Sequence, residues 1–217
     1  MEEWLTEAQA WLKSRRARNL PAYLLRQPGF TVKLLSARVF GAGQLGPEYD
    51  HMLLLVEMHE RWIADVGFGD SFLQPLRLDD PAQQAQEQGG CAYRLLATEA
   101  QMVLQQSKEG VWNSQYAFAL EPRQLAEFDA MCDYQQTSPA SNFTRKAVCS
   151  MATPQGRVSL SNRRLILSTD GQREEREIAD AGSYRVALKY YFDIELDAGA
   201  HIERLMDPLA TLPNLQS

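Results

Sequence analysis

The stretch HMLLLVEMHERWIADVGFG, residues 51–69, decides the fold because it reads as two β-strands joined by a short polar turn. Two apolar runs flank His59-Glu60, which is typical of an antiparallel hairpin. The first strand begins at His51, and Asp65 closes the second strand before a glycine-flanked turn. The hairpin therefore carries a candidate base and a candidate carboxylate partner.

The facing of His51 and Asp65 depends on the length of the hairpin loop. A two-residue loop places Asp65 beside Leu54 and leaves His51 on the other face. A three-residue loop places Asp65 opposite Leu55 on the His51 face, about 13 Å away. Only a bulge or a bend at residues 47–50 then brings the side chains together. Two interpretations stay open: a catalytic pair, or two polar residues that end an ordinary hairpin, with Asp65 bonded to backbone donors of the turn.

Other short runs on both sides of this hairpin extend the β-rich region. A helix is predicted over Leu20–Arg26, since Pro28-Gly29 stops it. The segment PAQQAQEQGG at 81–90 is interpreted as an exposed connection. The further predicted strands are TVKLLSARVF, CAYRLLAT and QMVLQQS, which Gly, Pro and Asp separate.

The two ends of the chain contain predicted helices. Near the start, Trp4 and Trp11 fall at helical spacing and predict an amphipathic first helix. After Pro122 we expect a helix, RQLAEFDAM, a polar loop, DYQQTSPASNF, and two strands, TRKAVCSMA and GRVSLSNRRLILS. The segment SYRVALKYYFDIEL, residues 183–196, is predicted to be a further helix.

Composition excludes several classes of function. The net charge is −6 without a clustered basic surface, so we expect no nucleic-acid partner. No apolar run approaches the length of a membrane span, and the acidic start is unlike a signal peptide; we expect a cytoplasmic protein without a membrane partner. Cys91, Cys132 and Cys149 form no CxxC pair, and the histidines lack metal-ligand spacing, so no disulfide framework or metal site is expected. We interpret each cysteine as a small buried hydrophobe.

Residues 51–69 resemble the segment of the arylamine N-acetyltransferase family in which a catalytic histidine opens a strand and a catalytic aspartate precedes a VGFG-type turn. Residues 116–157 are similar to a later signature of that family: a YLQTSP-like loop, an S-x-F and a strand with C-S-x-x-T-P-x-G. LLRQPGFTVKLLSARV, residues 24–39, resembles the end of a helix and the first barrel strand. The resemblance extends from Leu24 to about Leu196.

The resemblance implies an α+β, cysteine-protease-like transferase fold in three parts. These are a truncated helical segment at 1–29, a β-barrel domain at 30–130 and an α/β lid at 131–217. It also implies a two-step reaction, in which a cysteine thiolate takes the acetyl group from acetyl-CoA and an arylamine or arylhydrazine then attacks the thioester. His51 would be the base and Asp65 the residue that orients it.

The same resemblance assigns further candidate residues. Phe68 would be an aromatic wall of the acceptor pocket, although it also suits a core position after a turn. The segment that resembles the CoA-contacting loop also suits a polar turn without a ligand. Its candidate hydroxyl groups belong to Tyr134, Thr137, Ser138 and Ser141.

The family's nucleophile lies in an R-R-G-G-x-C-x-E-x-N signature, for which LKSRRARNLPAYLLRQPGF stands here, and no cysteine precedes Cys91. Counting without gaps places Ser14 at the cysteine position, but its neighbours do not match and we interpret it as a solvated residue. Three alternatives stay open: an active transferase, a pseudoenzyme that binds CoA or a protein partner, and a gene product cut short before Leu20. If covering helices are missing, we expect an exposed apolar surface and self-association.

Overall fold

The computed structural model describes residues 20–65, 67–69, 71–80, 84–153, 156–169, 172–197 and 199–207. The first helix expected around Trp4 and Trp11, and Ser14, lie outside the described residues. The chain divides into two compact units, Met1–Asp129 and Ala130–Ser217, next to the boundary expected at residue 130. Among the described residues, every helix is too short or too polar to cross a bilayer.

The first unit contains a nine-stranded antiparallel sheet and the helix α1, which spans Leu20–Arg26 as predicted. The strand order is β5-β4-β3-β1-β9-β8-β7-β6, and β2 pairs with β1. In chain order the strands are β1 (Thr31–Gly41), β2 (Gln44–Leu45), β3 (His51–Glu57), β4 (Arg61–Ala64), β5 (Leu76–Arg77), β6 (Gln86–Gln88), β7 (Cys91–Ala97), β8 (Met102–Lys108) and β9 (Val111–Phe118).

The sheet is barrel-like because strands near both of its ends contribute to one core. Leu76 of β5 and Leu95 of β7 are buried in the same hydrophobic cluster. On β1 and β3, successive side chains point to opposite faces of the sheet. One alternate set therefore faces that cluster, and the other set faces α1. The α1-facing cluster contains Ala22, Val32, Leu34, Leu54 and Val56.

The central hairpin has a register that differs from both predicted ones. Glu57 pairs with Arg61 and Leu54 pairs with Ala64, so the loop has three residues, 58–60. The predicted pairing of Asp65 with Leu54 is wrong, and so is its placement opposite Leu55. Continuing the observed ladder by one step sets Asp65 opposite the residue before Leu54, on the His51 face. Asp65 is thus two strand residues from His51 rather than four.

Two further strands of the first unit correct the sequence analysis. The segment 81–90 is not only a connection, because Gln86–Gln88 forms β6 and pairs with β7. Gly89 and Gly90 connect the two strands with φ of 57° and 76°, a conformation that suits the two-residue turn of a hairpin. The strand β9, which was not predicted, lies next to β1 at the centre of the sheet.

Helical structure after Pro122 extends further than the predicted helix RQLAEFDAM. A 3₁₀ turn at Leu125–Phe128, in the first unit, leads into α2, which spans Asp129–Thr137. The predicted loop is therefore wrong in its first half, because Tyr134 and Thr137 are helical. A short helix α3 follows at Asn142–Arg145.

A four-stranded antiparallel sheet and the helix α4 (Ala181–Phe192) form the core of the second unit, followed by α5 (Glu203–Met206). The predicted strand GRVSLSNRRLILS is a hairpin, since Asn162 takes a left-handed turn conformation at φ 49°. α4 ends before residue 196 because Asp193, at φ 52°, caps it. The strands, in spatial order, are β10 (Val148–Thr153), β11 (Gly156–Ser161), β12 (Arg164–Thr169) and β13 (Gln172–Glu177).

Candidate functional site

The chain bends sharply just before His51. Tyr49 has a left-handed backbone, with φ 64°, and its N–H donates to Ser36 Oγ at 2.9 Å. Its hydroxyl donates to Glu127 Oε1 at 3.0 Å, and its ring meets that of Phe128 edge-on. Left-handed tyrosine is uncommon and needs such support from its surroundings. The bend lies within residues 47–50, where the sequence analysis required one.

His51 and Asp65 are in direct contact. The distance between His51 Nε2 and Asp65 Oδ2 is 2.7 Å, and the two side chains are 12% and 0% exposed. The contact forms because β3 begins at His51 and β4 ends at Ala64, so both residues are free of the regular ladder between them. The contact is present in a single hairpin without a ligand.

The carboxyl group of Asp65 has a donor for each oxygen. Tyr116 Oη donates to Oδ2 at 3.0 Å, and the Gly67 N–H donates to Oδ1 at 3.0 Å. The contacts of both interpretations are present together, since Asp65 contacts His51 and also bonds a backbone donor of the turn. A buried carboxylate needs such partners, because burial without them is costly.

Tyr116 is the residue of this site that sequence reasoning missed. It is fully buried, and burial raises its pKa well above 10, with a further contribution from the charge and hydrogen bond of Asp65. A β-bulge precedes it, since Leu104 pairs with Tyr116 while Gln105 pairs with Ser114. The hairpin signal Glu109-Gly110 before VWNSQYAF could have identified this strand.

Phe68 completes an aromatic wall around the imidazole. Its ring centroid is 5.1 Å from that of His51 and 4.9 Å from that of Tyr116, which it meets edge-on. The Tyr116 ring is 5.4 Å from that of His51. Phe68 is only partly buried and packs against the barrel core. We call the group His51, Asp65, Phe68 and Tyr116 the His–Asp site.

This geometry fixes the chemistry that the imidazole can perform. A carboxylate only accepts hydrogen bonds, so an ionised Asp65 selects the tautomer of His51 that carries its proton on Nε2. Nδ1 is then the nitrogen that can take a proton from a thiol or an amine. A base whose tautomer and orientation are held by a carboxylate is the arrangement of hydrolase and thiol-transferase triads.

The candidate residues of the second unit form what we call the helix–loop segment, residues 134–141. Ser141 is 2% exposed and is the N-cap of α3, where its Oγ accepts from the Phe143 N–H at 3.1 Å. Thr137 Oγ1 donates to the Asp133 carbonyl, and Ser138 Oγ accepts from the Ala140 N–H. Tyr134 is 42% exposed. Within this segment, local backbone bonds account for each of the three aliphatic hydroxyls.

The cysteines lie in two different kinds of environment. Cys91 and Cys149 are partly buried against the cores of the first and second units, and burial raises the pKa of the Cys149 thiol. Cys132 is not the buried hydrophobe expected: it lies on α2, partly exposed, and its Sγ accepts from Gln136 Nε2. Within the described residues, the imidazole of His51 has hydrogen-bond and ring contacts with Asp65, Phe68 and Tyr116.

Within the described ranges, no group of three His, Cys, Asp or Glu residues is placed to hold a metal ion.

Comparison with known proteins identifies relatives of the chain. The N-acetyltransferase family model matches residues 17–201. Arylamine N-acetyltransferase from Escherichia coli K12 is 32% identical over 183 residues, which make up 82% of this chain and 64% of that protein. The chain therefore spans less than two thirds of that relative.

Solved structures agree with this relationship. The Salmonella typhimurium arylamine N-acetyltransferase superposes with a TM-score of 0.76 at 30% identity, covering 86% of this chain and 69% of that one. The Mycobacterium tuberculosis enzyme gives a TM-score of 0.80 at 27% identity, with 93% and 81% covered. The chain belongs to the arylamine N-acetyltransferase family, and its α+β architecture around a barrel-like sheet is the cysteine-protease-like fold of that family.

Proposed function

We propose that this chain takes part in acetyl transfer from acetyl-CoA to arylamines or arylhydrazines, with His51 as the base and Asp65 as the residue that orients it. The observation that carries the proposal is the 2.7 Å contact between His51 Nε2 and the fully buried Asp65 carboxyl group. The family's use of acetyl-CoA as co-substrate supports the choice of donor.

The reaction follows from what a held imidazole can do. His51 Nδ1 takes the proton of a thiol, the thiolate attacks the acetyl carbonyl carbon, and CoA leaves as a thiolate to which the imidazolium ion returns the proton. The amine then attacks the new thioester, its proton passes through His51 Nδ1 to the departing sulfur, and the acetyl group stays on the nitrogen. An imidazolium ion beside the sulfur stabilises the thiolate, and Asp65 stabilises that imidazolium ion. Phe68, partly exposed beside the ring, would contact the aromatic acceptor.

A second candidate function is CoA binding without turnover. It is favoured by the surroundings of the described thiols, since the raised pKa of Cys149 is the opposite of what a nucleophile needs. Cys132 is occupied by Gln136, and Cys91 packs against the barrel. Tyr134, Thr137 and Ser138 remain the candidate CoA contacts in both functions, whereas Ser141 is buried as the N-cap of α3 and we assign its hydroxyl to the fold.

Two measurements on the same sample separate the candidates. Acetyl-CoA-dependent acetylation of an arylhydrazine is followed by release of CoA, and intact-protein mass spectrometry detects an acetyl group on the chain. We expect release of CoA that depends on the arylhydrazine and is abolished in H51Q. Peptide mass spectrometry of any acetyl-protein identifies the thiol, a role for which the environments of Cys91, Cys132 and Cys149 are unsuited. CoA binding by calorimetry with neither product would instead support the second candidate.

The cytoplasmic location and the self-association expected from the sequence stay predictions of this proposal. The described first unit exposes Phe30 and Leu24 close to α1, where a covering layer would pack. Sedimentation at several protein concentrations measures the self-association, and a monomer at every concentration would contradict this expectation.

A further inference from the structure

The segment between Asp65 and β5 has little regular structure and yet carries half of the His–Asp site. Asp65 begins it, and Phe68 places its ring on His51. Phe72 is 5% exposed and meets the ring of Tyr93 edge-on at 5.8 Å inside the barrel. The position of the carboxyl group against the imidazole therefore depends on what holds this segment. We call its described residues, 65, 67–69 and 71–75, the site loop.

Packing does not hold the far end of the site loop. Leu73 is 64% exposed and Gln74 is exposed as well, so neither residue is fixed by burial. β5, which follows, is only two residues long and pairs with β4 through Trp62 and Ile63. The backbone at 73–74 needs another anchor.

The carboxamide of Gln88 is that anchor. Its Oε1 accepts from the N–H groups of Leu73, at 3.0 Å, and Gln74, at 2.8 Å, while its Nε2 donates to the Gln74 carbonyl at 2.9 Å. The orientation of the amide follows from these partners, because backbone N–H groups only donate and carbonyls only accept. One side chain thus makes three bonds to two consecutive residues of the loop.

A second glutamine of β6 makes a similar bridge further along. Gln86 Oε1 accepts from the Arg77 N–H at 2.9 Å, and its Nε2 donates to the Arg77 carbonyl at 3.1 Å. β5 and β6 stand at the two ends of the strand order, and these amides connect them where no backbone ladder does. The barrel is closed here by side chains that take the place of a neighbouring strand.

We propose that Gln88 is a positioning residue of the His–Asp site, which fixes the site loop so that Asp65 and Phe68 stay against His51. The loop is then held at three points: the Asp65–Gly67 bond, the buried Phe72 ring and the Gln88 amide. Gln86 acts at β5, which β4 already pairs, and does not position the site. The effect of Gln88 on acetyl transfer rests on the proposed function, whereas its effect on the position of Asp65 and Phe68 does not.

Three variants test the proposal by NMR on the full chain. Q88A removes the three loop bonds, and Q86A is the matched control that removes two bonds of the same kind from the same strand. Q88E is the conservative variant, since a carboxylate still accepts from both N–H groups. The readouts are amide hydrogen exchange at Leu73 and Gln74, and the ring ¹⁵N signals of His51, with His59 at the hairpin tip as reference.

In Q88A we expect exchange at Leu73 and Gln74 to rise about tenfold and the His51 ring signals to move towards those of His59. In Q86A both readouts stay as in the wild type. Q88E keeps the two N–H bonds but loses the bond to the Gln74 carbonyl, so we expect a smaller rise in exchange than in Q88A. Faster exchange throughout the barrel, including Leu104, would mean that Gln88 only stabilises the fold, and would overturn the proposal.

An unmoved His51 signal in Q88A with faster loop exchange would also overturn it. If Q88A melts too low for NMR, Q88N, whose amide is one methylene short, replaces it with the same expectations. Because none of these readouts requires turnover, they stand even if the acetyl transfer assay is negative.

Discussion

The His–Asp site and the helix–loop segment contain the same kinds of residues but differ in what explains their contacts. In the helix–loop segment, hydroxyl groups cap helices and bond to backbone within a few residues of themselves. In the His–Asp site, Asp65 and Tyr116 meet across 51 positions of the chain, and both are fully buried. A cap needs no further reason, whereas a buried carboxylate beside a histidine has a cost that the fold alone does not require.

The difference shows where a functional assignment is strongest. Local hydrogen bonds satisfy turn residues in any sequence, so they say little about a ligand. A carboxylate that is removed from water and supplied with long-range donors indicates a role beyond folding. The predictions below test this contrast, beginning with the largest expected effect.

Replacing Asp65 by Asn should break the His–Asp site. His51 and Tyr116 both bond Oδ2, and the Gly67 N–H bonds Oδ1, so an amide NH₂ in place of either oxygen leaves at least one donor without its acceptor, at a cost of about 1–3 kcal/mol in unfolding free energy. Loss of the orienting charge should reduce kcat/KM for acetyl transfer on the order of a thousandfold or more. Denaturant unfolding and a hydrazine acetylation assay measure the two effects. If D65N had the wild-type unfolding free energy and the wild-type kcat/KM, the contrast between the His–Asp site and the helix–loop segment would be contradicted.

Replacing Tyr116 by Phe should have a smaller effect on the same pair. The ring still packs against Phe68, but Asp65 loses one donor, which we expect to lower the unfolding free energy by about 1 kcal/mol and kcat/KM about tenfold. Y93F is the matched control, since the Tyr93 hydroxyl accepts from Gln106 in the same core. A Y93F that loses as much activity as Y116F would show a general packing effect.

The phenol of Tyr116 also predicts a dependence of stability on alkaline pH. Its folded pKa is raised, so above pH 10.0 the unfolded chain releases a proton that the folded chain retains. The stabilisation is complete below that pH and is lost as pH rises, with a slope of at most about 1.4 kcal/mol per pH unit. Unfolding measured from pH 9 to 11 should show a shallower loss in Y116F. Equal slopes would contradict the burial of this phenol.

Replacing Ser141 by Ala should affect the fold and not the ligand. Loss of an N-cap costs about 1 kcal/mol, and α3 is short, so we expect a small drop in the melting temperature. CoA affinity by calorimetry should stay within about twofold of the wild type. Weaker CoA binding at unchanged stability would instead assign the Ser141 hydroxyl to the ligand. The helix–loop segment would then have a functional role, as the His–Asp site does.

The sequence predicted much of the first unit because its signals are local. Short β-rich runs between Gly, Pro and Asp identified β1, β3 and β8, and the Pro-Gly pair placed the end of α1 at Arg26. The resemblance selected His51 and Asp65, and the bend before His51 was expected from geometry. Each of these features depends on neighbours within a few residues.

What the sequence did not predict depends on partners far along the chain. Tyr116 is a polar aromatic in a mixed strand, and only its bond to Asp65 gives it a role. Gln86 and Gln88 are polar residues in a segment that resembles a linker. They are strand residues because β6 pairs with β7, and their amides bond Arg77 of β5 and Gln74 of the preceding loop. The hairpin register was missed because a loop of two or three residues fits the same pattern.

The central claim is that Asp65 holds His51 in one tautomer with Nδ1 left for chemistry. Long-range ¹H–¹⁵N NMR of the His51 ring near neutral pH tests it directly. We predict that the neutral form of the ring carries its proton on Nε2 and has a bare Nδ1, and that this tautomer preference is lost in D65N. A proton on Nδ1, or ring signals averaged like those of His59, would contradict the account.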